Sequence, residues 1–134
     1  MSERQYREYE AAVKELVDTL SRDFGVEAPD VELVSMYVFR RLGLFGSTSY
    51  YHGYFKYMAL HRTLRPSEML DAILHEFAHH LQNVRGMKVD ESEYDKPHCQ
   101  RTHEREAKNF ATEHYKSYEE VWKDILRRHG VKYK

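Results

Sequence analysis

The sequence predicts a small α+β domain: an amphipathic helix, a small mixed sheet, and then a helical second half. Three observations carry that expectation. Apolar residues recur at three-and-four spacing from Ser2 to Phe24 and again from Pro66 to Val84, the repeat of a helix that buries one face. Two runs rich in β-branched and aromatic residues, Val31–Phe39 and Ser49–His61, lie between them, as strands require. Glycines and prolines separate each pattern from the next. With 134 residues and no linker-like stretch, the chain is expected to form one domain spanning residues 1–134.

The first helix buries Tyr6, Tyr9, Val13, Leu16, Val17, Leu20 and Phe24, and Gly25 and Pro29 end it. Val31–Phe39 is expected to be one strand. The stretch from Ser49 to His61 is split by Gly53 and predicts one or two strands with a bend or hairpin. Pro66 suits the first turn of the next helix, whose stripe runs through Met69, Leu70, Ile73, Leu74, Phe77, Ala78 and Leu81 to Gly86. Met87–Gln100 has no sustained period and reads as a loop. A third helix starts near Arg101 with His103, Ala107, Phe110, Ala111 and His114 inward, and Ser117 with Glu120 resembles a capping box that opens a last helix.

A formal charge of −1, from 21 basic and 22 acidic side chains, argues against a protein built to grip nucleic acid. The longest apolar runs are far short of the roughly 20 residues that cross a bilayer, and MSERQYREYE is too charged for a secretory signal. A cytoplasmic monomer without nucleic-acid or membrane partners is therefore expected. The single cysteine, Cys99, can form neither an internal disulfide nor a thiolate cage. Nine histidines are the unusual feature.

His75-Glu76-Phe77-Ala78-His79 places two imidazoles four residues apart, one turn above the other on one side of the active-site helix. That spacing lets both bind one zinc ion and leaves a position for water, whose pKa falls to about 7 at such sites. Glu76 is placed to act as general base, and it lies off the expected buried stripe. His80 is expected to point away from the metal face, at the surface or behind the ligands rather than as a ligand. A third ligand must come from elsewhere, and the third helix offers His103, Glu104 and Glu106 within one turn.

Ile73 to Gln82, followed downstream by Glu106-Ala107-Lys108-Asn109-Phe110-Ala111, resembles the gluzincin clan of zinc metallopeptidases, and especially its minimal single-domain members, the minigluzincins. The resemblance implies a minimal zincin-like fold: N-terminal helix, small sheet, active-site helix and C-terminal glutamate helix. It implies zinc held by His75, His79 and Glu106, Glu76 as catalytic base, and a peptide or protein substrate hydrolysed by zinc-activated water. It also implies latency through a terminal segment, here the tail after Gly130, folded over the cleft. On a helical wheel His103 lies nearer the middle of the inward face than Glu106, so His103 stays open as the ligand, with Glu104 and His98 behind it. The alternative to an enzyme is a non-catalytic, zinc-stapled binding or regulatory domain.

The tyrosine-rich strand Tyr54–His61 is expected mostly to pack, and otherwise to form the rim of the cleft. The basic C-terminus reads as a solvated helix face, and Cys99 as an incidental thiol.

Overall fold

The structure is a computed structural model that describes residues 1–44, 46–87 and 91–133, leaving out the side chain of Cys99. Helix α1 (Glu3–Phe24) opens with a reciprocal cap, in which Ser2 Oγ accepts from the Gln5 N–H and the Ser2 N–H donates to Gln5 Oε1. It closes at Gly25, whose φ of 68° lets the chain turn and returns the Val26 N–H to the Ser21 carbonyl.

Strand β1 (Asp30–Val34) follows, and Ser35 then turns the chain into a short helix, α2 (Met36–Arg41). The single strand expected over Val31–Phe39 is thus two elements. Ser35 has the extended backbone of a helix N-cap, and Phe39 is buried with Val34 and Ala59 in a small cluster of its own. Burying one face of α2 there outweighs the β propensity of Val38 and Phe39.

Strands β2 (Ser49–His52) and β3 (Tyr57–His61) form the expected hairpin around Gly53. The order is β1-β3-β2, with β3 parallel to β1 and antiparallel to β2. The sheet is mixed and small, as expected. The central strand is β3, however, so the rim expected over Tyr54–His61 is formed by β2 instead.

Helix α3 (Pro66–Val84) packs most extensively against α4 (Thr102–Arg128). Short 3-10 turns at Glu91–Glu93 and His98–Gln100 break the loop between them. One continuous α4 replaces the two helices expected there. No glycine or proline interrupts residues 102–128, and the buried positions Ala107, Ala111, Tyr118, Trp122 and Ile125 run through the expected break at Ser117.

The main core joins one face of α1, Met58 and Leu60 of β3, the apolar side of α3, and Trp122, Ile125 and Leu126 of α4. Three hydrogen bonds from aromatic side chains fix these helices. Trp122 Nε1 donates to the Pro66 carbonyl at 2.8 Å, Tyr9 to the Leu64 carbonyl at 2.8 Å, and Tyr118 to Asp23 at 2.7 Å. The first two set the angle at which α3 enters the core. The described tail, residues 131–133, turns back on the body: Val131 is buried, and the Tyr133 hydroxyl lies 3.3 Å from that of Tyr115 and donates to Glu119. Among the described residues none after Gly130 lines the cleft of the next section, so the segment expected to cover it is packed against α4. Lys134 lies outside the described residues. No helix is long and apolar enough to cross a membrane.

Candidate metal centre

The middle of α3 and the first turn of α4 face one another across an open cleft of about 1140 Å³, whose other wall is the outer side of β2. His75 and His79, one turn apart, both point to this side. Their Nε2 atoms lie 3.1 and 2.9 Å from a single oxygen, Oε1 of Glu104. The three donor atoms lie within 4.8 Å of one another.

Burial opposes ionisation of Glu104, but hydrogen bonds from His75 and His79 and the charges of His79 and His98 outweigh it, so its pKa is held far below the usual carboxylate range. For His79 burial likewise favours the neutral ring, and the Glu104 carboxylate reverses the balance and raises the pKa.

Glu106, assigned as third ligand by resemblance, is exposed on the solvent side of α4. The carboxylate beside the imidazoles is Glu104, and this is a correction of two residues. A change of two positions rotates a helical side chain by about 200°, so the two glutamates cannot exchange places. One signal in the sequence pointed to Glu104: Ala107 and Ala111, small and fully buried against α3, stand three and seven residues after it, on its stripe. His103 is shifted from the centre of the inward face, and its Nε2 lies 3.5 Å from the other oxygen of Glu104, Oε2. His98 approaches the same Oε2 at 3.1 Å from the exposed loop. Neither ring shares Oε1 with His75 and His79.

Glu76 lines the same cleft and is only 5% exposed, where the helical pattern placed it off the buried face. Strand β2 covers it: Ser49 Oγ donates to Glu76 Oε2 at 2.5 Å. Burial raises the Glu76 pKa, with Ser49 and the neighbouring histidines opposing. His80, expected at the surface or behind the ligands, is 1% exposed. Its Nε2–H donates to the Glu27 carbonyl at 2.8 Å, so its Nδ1 accepts from the Tyr51 hydroxyl at 2.7 Å. Helix α3 is therefore enclosed on nearly every side, by the core, the sheet and α4.

The donor set fits a divalent ion such as zinc. Two imidazole nitrogens and one carboxylate oxygen make up a ligand set of catalytic zinc sites, which leaves a fourth position open. Gln82 Oε1 accepts from His79 Nδ1–H at 2.9 Å and so holds Nε2 toward the cluster as the nitrogen that would bind a metal on losing its proton. Gln82 in turn donates to the His103 carbonyl at 2.9 Å, tying α3 to α4 at the site.

Among known proteins, residues 35–132 match the family model Peptidase_M78, described as the IrrE N-terminal-like domain. The match covers α2, the β2–β3 hairpin, α3 and α4, and so every residue of the site. No curated protein and no solved structure matches the chain.

Proposed function

The chain belongs to the Peptidase_M78, IrrE N-terminal-like family, a metallopeptidase-like family that includes non-catalytic regulators, and we propose that it is a zinc-dependent peptidase. In this reading His75, His79 and Glu104 hold the ion, and Glu76 is the general base. The observation that carries it is Glu76 itself. A carboxylate buried beside the ligand atoms, held by Ser49 and raised in pKa by burial, has no use in a metal that only staples a fold. It suits a group that must take up a proton near neutral pH.

The bound ion would supply Lewis acidity and bring a water's pKa to about 7. Glu76 accepts the proton of the attacking water on its carboxylate and returns it to the leaving amine nitrogen. The substrate backbone extends along β2, the edge strand of the sheet, and would add to it through main-chain pairing. His98 and His103 orient Glu104 through its second oxygen, which leaves the open side of the cluster to the substrate.

Glu76→Gln tests the reading. It should keep one zinc per chain and abolish cleavage of a proteome-derived peptide library. Cleavage by the variant at the wild-type rate removes Glu76 from the chemistry. A zinc-loaded wild type that cleaves nothing in that library would support the non-catalytic regulator reading instead.

A further inference from the structure

The charges around the cleft are unevenly distributed. Of the chain's 21 lysines and arginines, none lines it among the described residues. Apart from the metal cluster, Glu76 and the two histidines around Glu104, its charged side chains are Glu68 and Asp71, both at the end where α3 begins. Glu68 is committed to Arg65, accepting from its Nε at 3.1 Å and from its backbone N–H at 3.1 Å. Asp71 is exposed and has no hydrogen-bond or ion-pair partner among the described residues. It stands one turn before His75, on the stripe 71, 75, 79 that faces the cleft.

The same end of the cleft has an apolar wall. Leu64, Ala72 and Tyr115 line it. The Tyr115 ring is fixed at its tip, where the hydroxyl donates to the Ser67 carbonyl at 3.2 Å and meets Tyr133 at 3.3 Å. Tyr133 lies under Lys123, 4.9 Å from its ring centre, and bonds Glu119. The folded-back tail thus supports this wall from behind. A hydrocarbon surface ending in an unpaired carboxylate complements a side chain with a long apolar stem and a cationic head.

We propose that the cleft end bounded by Asp71, Leu64 and Tyr115 is a subsite for a lysine or arginine side chain of a bound peptide, with Asp71 reading its charge. The inference rests on the cleft being a peptide site, as argued above. It adds which peptides are chosen. Among the described residues no lysine or arginine lines the cleft to pair with Asp71, so its charge is left to the ligand, favouring a basic residue and opposing an acidic one.

The test uses the zinc-loaded Glu76→Gln protein, which would retain peptides without turning them over. It is titrated with capped hexapeptides that carry Lys, Ala or Glu at one scanned position. At one position the Lys peptide should bind about tenfold more tightly than the Glu peptide. Adding Asp71→Asn should remove that preference, and Asp71→Lys should reverse it. An unchanged ranking in both Asp71 variants overturns the subsite, as does failure of every peptide to bind. If the ranking and its reversal hold while the zinc-loaded wild type cleaves none of the peptides, the subsite stands and the peptidase reading falls.

Discussion

Removing Glu104 and removing Glu106 should have opposite consequences for metal binding, although the residues are two apart. Glu104 presents one oxygen to both imidazole nitrogens, at 3.1 and 2.9 Å, while Glu106 is exposed and outside the cluster. Zinc held by four protein ligands is bound by roughly 10–16 kcal/mol, or roughly 2.5–4 kcal/mol for each ligand. Losing one of three should therefore weaken zinc binding by about 10²–10³-fold at 1.4 kcal/mol per decade. Glu104→Ala is expected to show that loss, and Glu106→Ala a change within about twofold, since an exposed charge at this distance is largely screened. His103→Ala, which removes only a partner of the second carboxylate oxygen, should cost about tenfold, as groups that orient a ligand do. Competition against a chromophoric chelator gives the three constants, and elemental analysis after dialysis gives the stoichiometry. Loss of zinc in Glu106→Ala with retention in Glu104→Ala would refute the assignment and the helix orientation behind it.

Ser49→Ala should lower kcat by about 10-fold or more, with KM and zinc content unchanged, because a hydrogen bond to a charged group contributes about 1.5–3 kcal/mol; Ser49→Thr should restore much of it, and steady-state kinetics on a cleaved peptide would show an unchanged kcat if the hydroxyl has no positioning role. His129 reaches back from the end of α4 to Glu15 at 3.0 Å and Glu8 at 3.2 Å, and hydrogen bonding to Glu15 first, against burial and with help from Glu8, raises its pKa. A raised value means that the contribution to stability is complete below the unfolded pKa of about 6.5 and is lost as the pH rises through the folded value. His129→Gln should flatten that dependence by about 0.5 kcal/mol, measured as the difference in urea midpoints above and below it. Chelation should lower the thermal midpoint without unfolding the protein at room temperature, followed by circular dichroism; a coil spectrum after chelation would mean that the metal holds the fold together.

Helices α1 and α3 were legible because each has its own periodicity and stops: the Ser2 cap and Gly25 for α1, Pro66 and Gly86 for α3. The sequence-based reading failed where it assumed one buried stripe per helix. Glu76 lies off the leucine-rich stripe of α3 and was expected off the buried face, yet it is 5% exposed, and His80, expected at the surface or behind the ligands, is 1% exposed. What buries them is β2, whose Ser49 and Tyr51 lie 27 and 29 residues away in the chain, a distance over which no local period carries information. The carboxylate of the cluster, Glu104, stood behind Glu106 and His103 as a candidate for a related reason. Phe110 and His114 drew the inward face of α4 toward His103, whereas the alanines that allow α4 to approach α3, Ala107 and Ala111, centre it on Glu104.

These buried polar pairs have a common geometry, and it explains why the centre should be formed before any ion arrives. Glu76 meets Ser49 from β2, His80 meets Tyr51 from β2 and the Glu27 carbonyl after α1, and His75 and His79 meet Glu104 from α4. Together they attach α3 to β2, to the segment after α1 and to α4, and a buried polar group left without its partner costs about 1–3 kcal/mol. Sliding α3 along either wall by one residue would break all of them together, so its register is fixed by polar contacts as well as by the core. The apolar core contributes independently, because Trp122, Tyr9 and the aliphatic residues of α1 are fully buried outside the cleft. A zinc-stapled domain inverts this arrangement, since its ligands lie in loops that the metal must order. Here two of the proposed ligands sit in the middle of a 19-residue helix and the third in the first turn of a 27-residue helix. The fold therefore bears the cost of bringing a carboxylate and two imidazoles together, and the binding energy of a metal held there would be left for chemistry at an open position.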